Sequence, residues 1–212
     1  MKRYLSSSLV LLVVCLNALI SASDSAIGTP QGIATDLDRN LTPKLTQTIT
    51  KSERSQQDKR LLNAASKGDL KAVKSALAKG ANVNAGDRIN GYALSRAAAK
   101  GHVEIVKLLL SKGAKVDPDS DEGYTPLVEA VSSGRIEVAK ILLAYGANPN
   151  NYAAGTTPLS ISIEAKNVQL VKLLLQNRAN PNLSAQGRSP MSIALAQGNR
   201  EIVNLLKKAG AK

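Results

Sequence analysis

Residues capable of nucleophilic or metal-binding chemistry are scarce in this sequence. It contains one histidine, His102, and one cysteine, Cys15, which lie far apart in the chain. A zinc site needs about four ligands, and an activated nucleophile needs an adjacent base, so these two residues can form neither. We find no paired carboxylates in a predicted cleft, no Ser–His set and no phosphate-binding loop. The sequence therefore predicts no catalytic residue, no metal site, no cofactor and no enzymatic activity.

An acidic cluster is the other candidate for ion binding. Asp117, Asp119, Asp121 and Glu122 alternate in a way that is similar to a calcium-binding loop. The central glycine and the distant bidentate glutamate of that motif are missing. We therefore expect these carboxylates to lie at the solvated tip of a hairpin, with a role in docking a partner as an alternative.

The amino-terminal segment, residues 1–23, has the order of a secretory signal peptide. Two basic residues at positions 2 and 3 precede an apolar run over residues 9–20 and a short segment of small residues. The run is shorter than the roughly 20 residues needed to cross a bilayer, which disfavours a permanent membrane anchor. We expect cleavage near Ala22 or Ser23 and a periplasmic or secreted protein.

Removal of residues 1–23 would also remove Cys15. The mature chain would then contain no cysteine, and neither a disulfide nor a thiol nucleophile could form. A lipid anchor on Cys15 would need small residues before it, whereas Val13 and Val14 precede it.

Residues 24–57 are rich in serine, threonine, glutamine and aspartate and contain few large apolar groups. Such a composition buries too little apolar surface to fold, so we expect a flexible linker. Leu37, Leu41, Leu45 and Ile49 are spaced by four, and this leaves a short amphipathic helix that caps the following segment as an alternative.

The remainder of the chain is repetitive. A Lys-Gly or Ser-Gly pair is followed about a dozen positions later by Gly-Ala and then by Asn or Asp. Gly68, Gly101 and Gly134 are evenly spaced, and Lys166 and Gly198 continue the series at an interval shorter by one position. A fixed interval of roughly 33 residues is typical of a solenoid, in which each unit packs only on its neighbours.

The third unit contains the elements of one repeat most completely. Thr125 is suited to cap a helix, with Pro126 at the first helical position, where its missing N–H costs nothing. That helix is predicted to run from Pro126 to about residue 133 and to end at Gly134. A second helix is predicted from about residue 136 to 144.

With its Thr-Pro-Leu start and its Gly-Ala-Asn turn, this unit resembles the ankyrin repeat, and with the signal peptide the chain resembles bacterial exported ankyrin-repeat proteins. The resemblance implies an all-α repeat solenoid of helix-turn-helix units with protruding hairpin loops, preceded by the signal peptide and the linker. We divide the repeat domain, residues 58–212, into five units at residues 58–87, 88–120, 121–152, 153–184 and 185–212.

Three departures from the family pattern lead to expectations. The histidine that ties adjacent repeats in the family is absent; hydroxyls can supply part of this bonding, so we expect a looser stack. Lys166 replaces the glycine that ends a first helix, which predicts local strain. Lys207 replaces a stacking leucine, which predicts a polar end that closes the stack. The histidine position holds Leu62, Ser95, Val128, Ser160 and Ser192.

The resemblance also implies a non-catalytic protein–protein interaction module. His102 matches the Gly-His start of a second helix and is interpreted as structural. Tyr124 and Tyr152 are the best anchor candidates, with shielding of the hairpin as the alternative. In the family, hairpin tips and the exposed ends of first helices form a concave binding face. Carried over position by position, it comprises Arg88, Ile89, Lys100, Asp121, Glu122, Tyr124, Ser132, Ser133, Tyr152, Glu164, Gln186, Arg188 and Gln197.

The charge of the chain bears on its partners. The formal net charge is +12, or +10 once the two basic residues of the signal are removed. The lysines are dispersed without aromatic residues between them, so we expect a protein partner and no nucleic acid, while attraction to an anionic envelope or an acidic partner stays open. We expect no stable membrane insertion after signal cleavage, and a monomer. An inhibitor or immunity protein that occludes an envelope toxin or hydrolase is the alternative function.

Overall fold

The computed structural model describes residues 37–87, 91–118 and 123–212. The expected signal peptide and the first part of the expected linker lie outside the described residues. Ile49–Lys212 form one compact unit that contains the repeats. The other unit, Met1–Thr48, is described only over residues 37–48, which are helical.

The described residues form ten α-helices and one pair of short antiparallel strands. Strand β1 (Gly86–Asp87) pairs with β2 (Gly91–Tyr92), with Gly86 opposite Tyr92. The helices are α1 (Leu37–Lys67), α2 (Leu70–Ala78), α3 (Ala93–Lys100), α4 (Val103–Ser111), α5 (Pro126–Ser132), α6 (Ile136–Ala144), α7 (Pro158–Glu164), α8 (Val168–Gln176), α9 (Pro190–Ala196) and α10 (Arg200–Lys208).

The helices from α3 to α10 are arranged as successive hairpins. Each first helix packs against the second helix of its own hairpin and against the first helix of the next, so that α3, α5, α7 and α9 form one layer. The second helices α2, α4, α6, α8 and α10 form another. Leu61, Leu94, Leu127 and Leu159 occupy equivalent positions in successive repeats and are at most 2% exposed, and they contribute to one core that runs through the stack.

Helix α1 differs from our expectation of a flexible linker. It begins at Leu37, and residues 37–57 are helical. Between residues 44 and 57 the chain has no glycine and no proline to stop a helix, and its lysine, glutamine and arginine residues are good helix formers. The last turns of α1 bury Leu61, Ala64 and Ala65 in the core, which anchors the helix at that end.

The predicted capping of the third repeat is confirmed. The Thr125 hydroxyl accepts a hydrogen bond from the Val128 N–H at the start of α5, and Pro126 is the first helical residue. Thr157 and Ser189 cap α7 and α9 in the same way. The strain expected at Lys166 is also present, because its φ of 53° lies in the left-handed region that favours glycine.

The hydroxyls at the family's histidine position do not tie adjacent repeats, contrary to our expectation. Ser160 Oγ accepts a hydrogen bond from Thr157 Oγ1, and Ser192 Oγ donates to the Ser189 carbonyl, so both bond within their own repeat. Ser95 Oγ has no partner among the described residues. A serine is too short to cross to the next helix pair.

Adjacent repeats are instead joined through their turns by a series of Asn and Asp side chains. Each of these accepts a hydrogen bond from a backbone N–H at the corresponding turn of the next repeat. Two of the asparagines, Asn150 and Asn182, also donate their amide to a carbonyl of the next repeat, at 3.2 Å in both cases. The acceptor pairs are Asn84 with Lys115, Asp117 with Asn148, Asn150 with Asn180, and Asn182 with Lys212, at 2.7–2.8 Å.

Helix α1 supplies the first member of this series. Asp58 Oδ1 accepts a hydrogen bond from the Asn82 N–H at 2.7 Å, which is the bond that a preceding repeat would otherwise provide. Asp58 therefore completes the polar turn of the first repeat.

Asn84, Asn150 and Asn182 each have an amide N–H that can donate a hydrogen bond. Asp117, the fourth side chain that joins adjacent repeats, has a carboxylate and can only accept. Burial raises the pKa of its carboxyl above the ordinary value, although hydrogen bonds from the Asn148 N–H and the Asn151 amide act in the opposite direction. A raised pKa in the folded state means that folding favours the protonated carboxyl. This contribution to stability is present below the unfolded-state pKa of about 3.9 and is lost as the pH rises through the folded-state pKa.

We predict that Asp117→Asn raises the free energy of unfolding by about 0.5–1 kcal/mol near pH 7, the half-exposed carboxylate being partly screened by solvent. Asparagine keeps the acceptor for the Asn148 N–H and adds the donor that Asn150 and Asn182 use, and these gains outweigh the loss of the hydrogen bond from the Asn151 amide. Urea unfolding at about pH 7 and about pH 3 tests this, and the gain should vanish at the lower pH. Asn150→Asp, the reverse change, should destabilise near pH 7. An equal gain at both pH values would show that the buried charge is not the cause.

Candidate protein-binding surface

The residues predicted to bind a partner fall into three groups in the structure. Arg88, Ile89, Asp121 and Glu122 lie outside the described residues. A second group gathers between the first helices of the fourth and fifth repeats, and a third lies along α3 and α5 and at the hairpins. The described members of all groups are exposed, except for Gln197, which is half-buried.

Glu164, Arg188 and Gln197 are brought together, although they come from two different repeats. Arg188 Nη2 forms an ion pair with Glu164 Oε1 at 2.6 Å, and about half of each side chain is exposed. Gln197 Nε2 donates to the Glu164 carbonyl at 3.2 Å. These contacts link the fourth and fifth repeats and place an ion pair at the surface. As an exposed pair it contributes little to stability, typically below about 1 kcal/mol.

Lys100 lines a groove between α3 and α5 with residues that sequence reasoning missed. Arg96 precedes Lys100 by four positions, and Glu129 precedes Ser133 by four, so each lies one helical turn before a predicted residue on the same face. That spacing is the signal that could have identified them. The groove has a volume of about 250 Å³ and is lined by Ser66, Gly91, Ser95, Arg96, Ala99, Lys100 and Glu129.

Glu129 is the electrostatically unusual group of this groove. Burial raises the pKa of its carboxyl above the ordinary value. Within the described residues, no hydrogen bond or ion pair to this carboxylate offsets the loss of water. A partly desolvated carboxylate that accepts no hydrogen bond is unfavourable until a donor reaches it.

The two tyrosines proposed as anchors have different roles. Tyr152 is 49% exposed, and its hydroxyl donates to the Ser184 carbonyl of the next hairpin at 2.8 Å. Tyr124 is 39% exposed, and in the described part of the chain no hydrogen bond of its hydroxyl is found. Tyr152 therefore ties neighbouring hairpins as well as presenting its ring, whereas Tyr124 has only its ring and hydroxyl to offer to a partner.

The hairpin tips at residues 153–156 and 185–188 are tight two-residue turns. Ala154 and Gly155 both have positive φ, as do Gln186 and Gly187, and each pair is flanked by a single antiparallel bridge. The Gln186 N–H donates to the Gly155 carbonyl at 3.0 Å, so consecutive tips are hydrogen-bonded to each other. Gln186 is consequently held at a defined place on the surface.

Comparison with known proteins identifies the architecture. The family model described as ankyrin repeats (3 copies) matches residues 61–153 and 149–212, which together make up most of the chain. The chain belongs to the ankyrin repeat family. No curated protein matches it.

In this ankyrin stack His102 has a structural role, as we interpreted it. Its Nε2 lies 3.1 Å from the Ser66 carbonyl of the preceding repeat. Arg135, in the equivalent position one repeat later, donates from Nε to the Ala99 carbonyl at 3.2 Å. A side chain at the start of a second helix thus forms a hydrogen bond to the preceding ankyrin repeat. This replaces the bond that the missing family histidine does not provide.

The described part of the ankyrin stack also bears on metal binding and on membrane spanning. Across residues 37–87, 91–118 and 123–212, no group of three or more His, Cys, Asp or Glu side chains is placed to hold a metal ion. The acidic cluster of the sequence falls largely outside these ranges. No helix within the same part of the chain is long and apolar enough to span a bilayer.

We predict that His102→Ala lowers the free energy of unfolding by about 1 kcal/mol, because the Ser66 carbonyl loses its donor. His102→Gln should recover part of this loss, since its amide nitrogen can donate to the same carbonyl. Chemical denaturation of the two variants beside the wild type measures the difference. If glutamine were no better than alanine, the hydrogen bond would not be the source of the stabilisation.

Proposed function

We propose that this chain is an exported, non-catalytic ankyrin module of five repeats that acts as a monomer and binds one protein partner. Ankyrin repeats generally mediate protein–protein interaction, and this supports the general function. The signal-like order of residues 1–23 supports export to the periplasm or beyond. The partner would bind along the hairpins and the exposed ends of α3, α5, α7 and α9.

The observation that carries the proposal is the groove around Glu129. Stacking of the repeats removes water from this carboxylate, and no described residue donates a hydrogen bond to it in return. Lys100 lines the same groove. A partner that places N–H donors beside Glu129 would offset the cost of desolvation on binding. The exposed rings of Tyr124 and Tyr152 supply rigid apolar area, the usual source of interface affinity.

We predict that Tyr124→Ala combined with Tyr152→Ala weakens capture of the native partner from the envelope fraction by at least about tenfold. Helical content should be unchanged. Tyr152→Phe separates the roles of that residue, because it keeps the ring and loses the bond to Ser184. Tyr145→Ala is the matched control, since Tyr145 is 52% exposed at the end of a second helix. Undiminished capture by the double variant would refute the site.

Export is tested separately from binding. Expression of the full chain in a Gram-negative host should yield a mature protein whose first residue is Ser23 or Asp24, recovered from the periplasm or the medium. N-terminal sequencing of the recovered protein measures this directly. A protein that retains Met1 and stays in the cytosol would contradict export while leaving the binding surface unaffected.

A further inference from the structure

Helix α9, the first helix of the fifth repeat, carries an apolar residue one position before its carboxyl end, at a position that is buried in every earlier repeat. Leu195 is 60% exposed. Its equivalents Ala98, Val131 and Ile163 are 0–1% exposed, because the next repeat packs over them. Among the described residues no further repeat packs over α9, and Leu195 is exposed there.

The end of the stack is therefore less completely closed than we expected. Lys207 is exposed, as predicted, and replaces the leucine of Leu175 and its equivalents. Arg200 likewise stands where α8 begins with Val168. Two positions that are apolar in the fourth repeat are thus cationic in the fifth, whereas Leu195 is apolar like its buried equivalents.

These residues form one shallow surface on the outer side of the last repeat, which we call the end surface. It encloses a groove of about 340 Å³. Its charged members are both basic, and Glu201, although it lies on the same helix, does not line the groove. The lining residues are Leu195, Gly198, Arg200, Val203, Asn204 and Lys207.

A second copy of the chain is a poor occupant of the end surface on electrostatic grounds. Joining two end surfaces would place Arg200 and Lys207 of one copy against the same cations of the other. The outer side of the first repeat is no better suited, because Arg60 and Lys67 outnumber Asp69 in the groove there. An occupant with carboxylates is complementary to the end surface, and an apolar side chain is complementary to Leu195.

We propose that the end surface docks an acidic segment of a partner protein, which packs an apolar side chain on Leu195 and places carboxylates beside Arg200 and Lys207. This surface is separate from the hairpin surface proposed above, and neither proposal depends on the other. It would give the stack a second point of attachment at its carboxyl-terminal end.

The test is a selection of random linear peptides displayed on phage against the purified full chain. Peptides that bind should be enriched in Asp or Glu around a large apolar residue. Their affinity should fall by at least about tenfold for Leu195→Ser and for the double charge reversal Arg200→Glu with Lys207→Glu. Leu195 is mostly exposed, so Leu195→Ser should keep the helical content of the wild type. Tyr145→Ser, which alters another exposed apolar side chain away from the end surface, should bind these peptides like the wild type.

Three outcomes would overturn the proposal. The first is enrichment of peptides whose binding Leu195→Ser does not change. The second is the absence of acidic, apolar peptides from the selected set. The third is a concentration-dependent dimer in sedimentation equilibrium that Leu195→Ser abolishes, since this would make a second copy the occupant.

Discussion

Each helix pair in this protein must bury apolar side chains against its neighbour, because no pair has enough core of its own. Val131 and Ile163 are almost fully buried only because another first helix lies over them. The remaining features follow from this constraint. The first helices must repeat at a fixed period, and the turns between them must be compact. At each end of the stack, apolar stacking residues must either be replaced by polar ones or be covered by another element. The amino-terminal end is covered by α1, whereas the carboxyl-terminal end is altered at Arg200 and Lys207 and keeps Leu195.

The turns impose a second requirement, since their backbone N–H groups need acceptors once the repeats are packed. Asn and Asp side chains meet it by reaching one repeat forward, as Asn150 does to the Asn180 N–H. His102 and Arg135 meet a related need for the carbonyls at the ends of first helices. The bonding that the family's histidine provides is therefore redistributed to other positions rather than lost. Helix α1 also accepts one of these hydrogen bonds, through Asp58, and therefore contributes to the stability of the stack.

The features that could be predicted from the sequence are the local ones. Thr125, Pro126 and the glycines act within a few residues of themselves, so their types and spacing determine where α5 and α6 begin and end. The polar composition before residue 58 gave the wrong picture of α1, because the burial of Leu61 and Ala65 against later repeats stabilises that helix from one end. The groove at Glu129 was missed for a similar reason. Its lining comes from three repeats, and only their stacking shows that the carboxylate loses water.

The division between stacking and variable positions explains where specificity can reside. The slot that holds Arg96 in the second repeat holds Glu129 in the third and Ile161 in the fourth, so a cation, an anion and an apolar group follow one another. The positions beside it, such as Leu94, Leu127 and Leu159, stay apolar because the core requires it. The slot accepts unlike residues, although Ile161 packs against the core and Ile193, its equivalent in the fifth repeat, is buried. A partner that contacts several repeats must match the order of these side chains. Because the stack holds them at a fixed spacing, a few unlike residues are enough to define a specific binding surface.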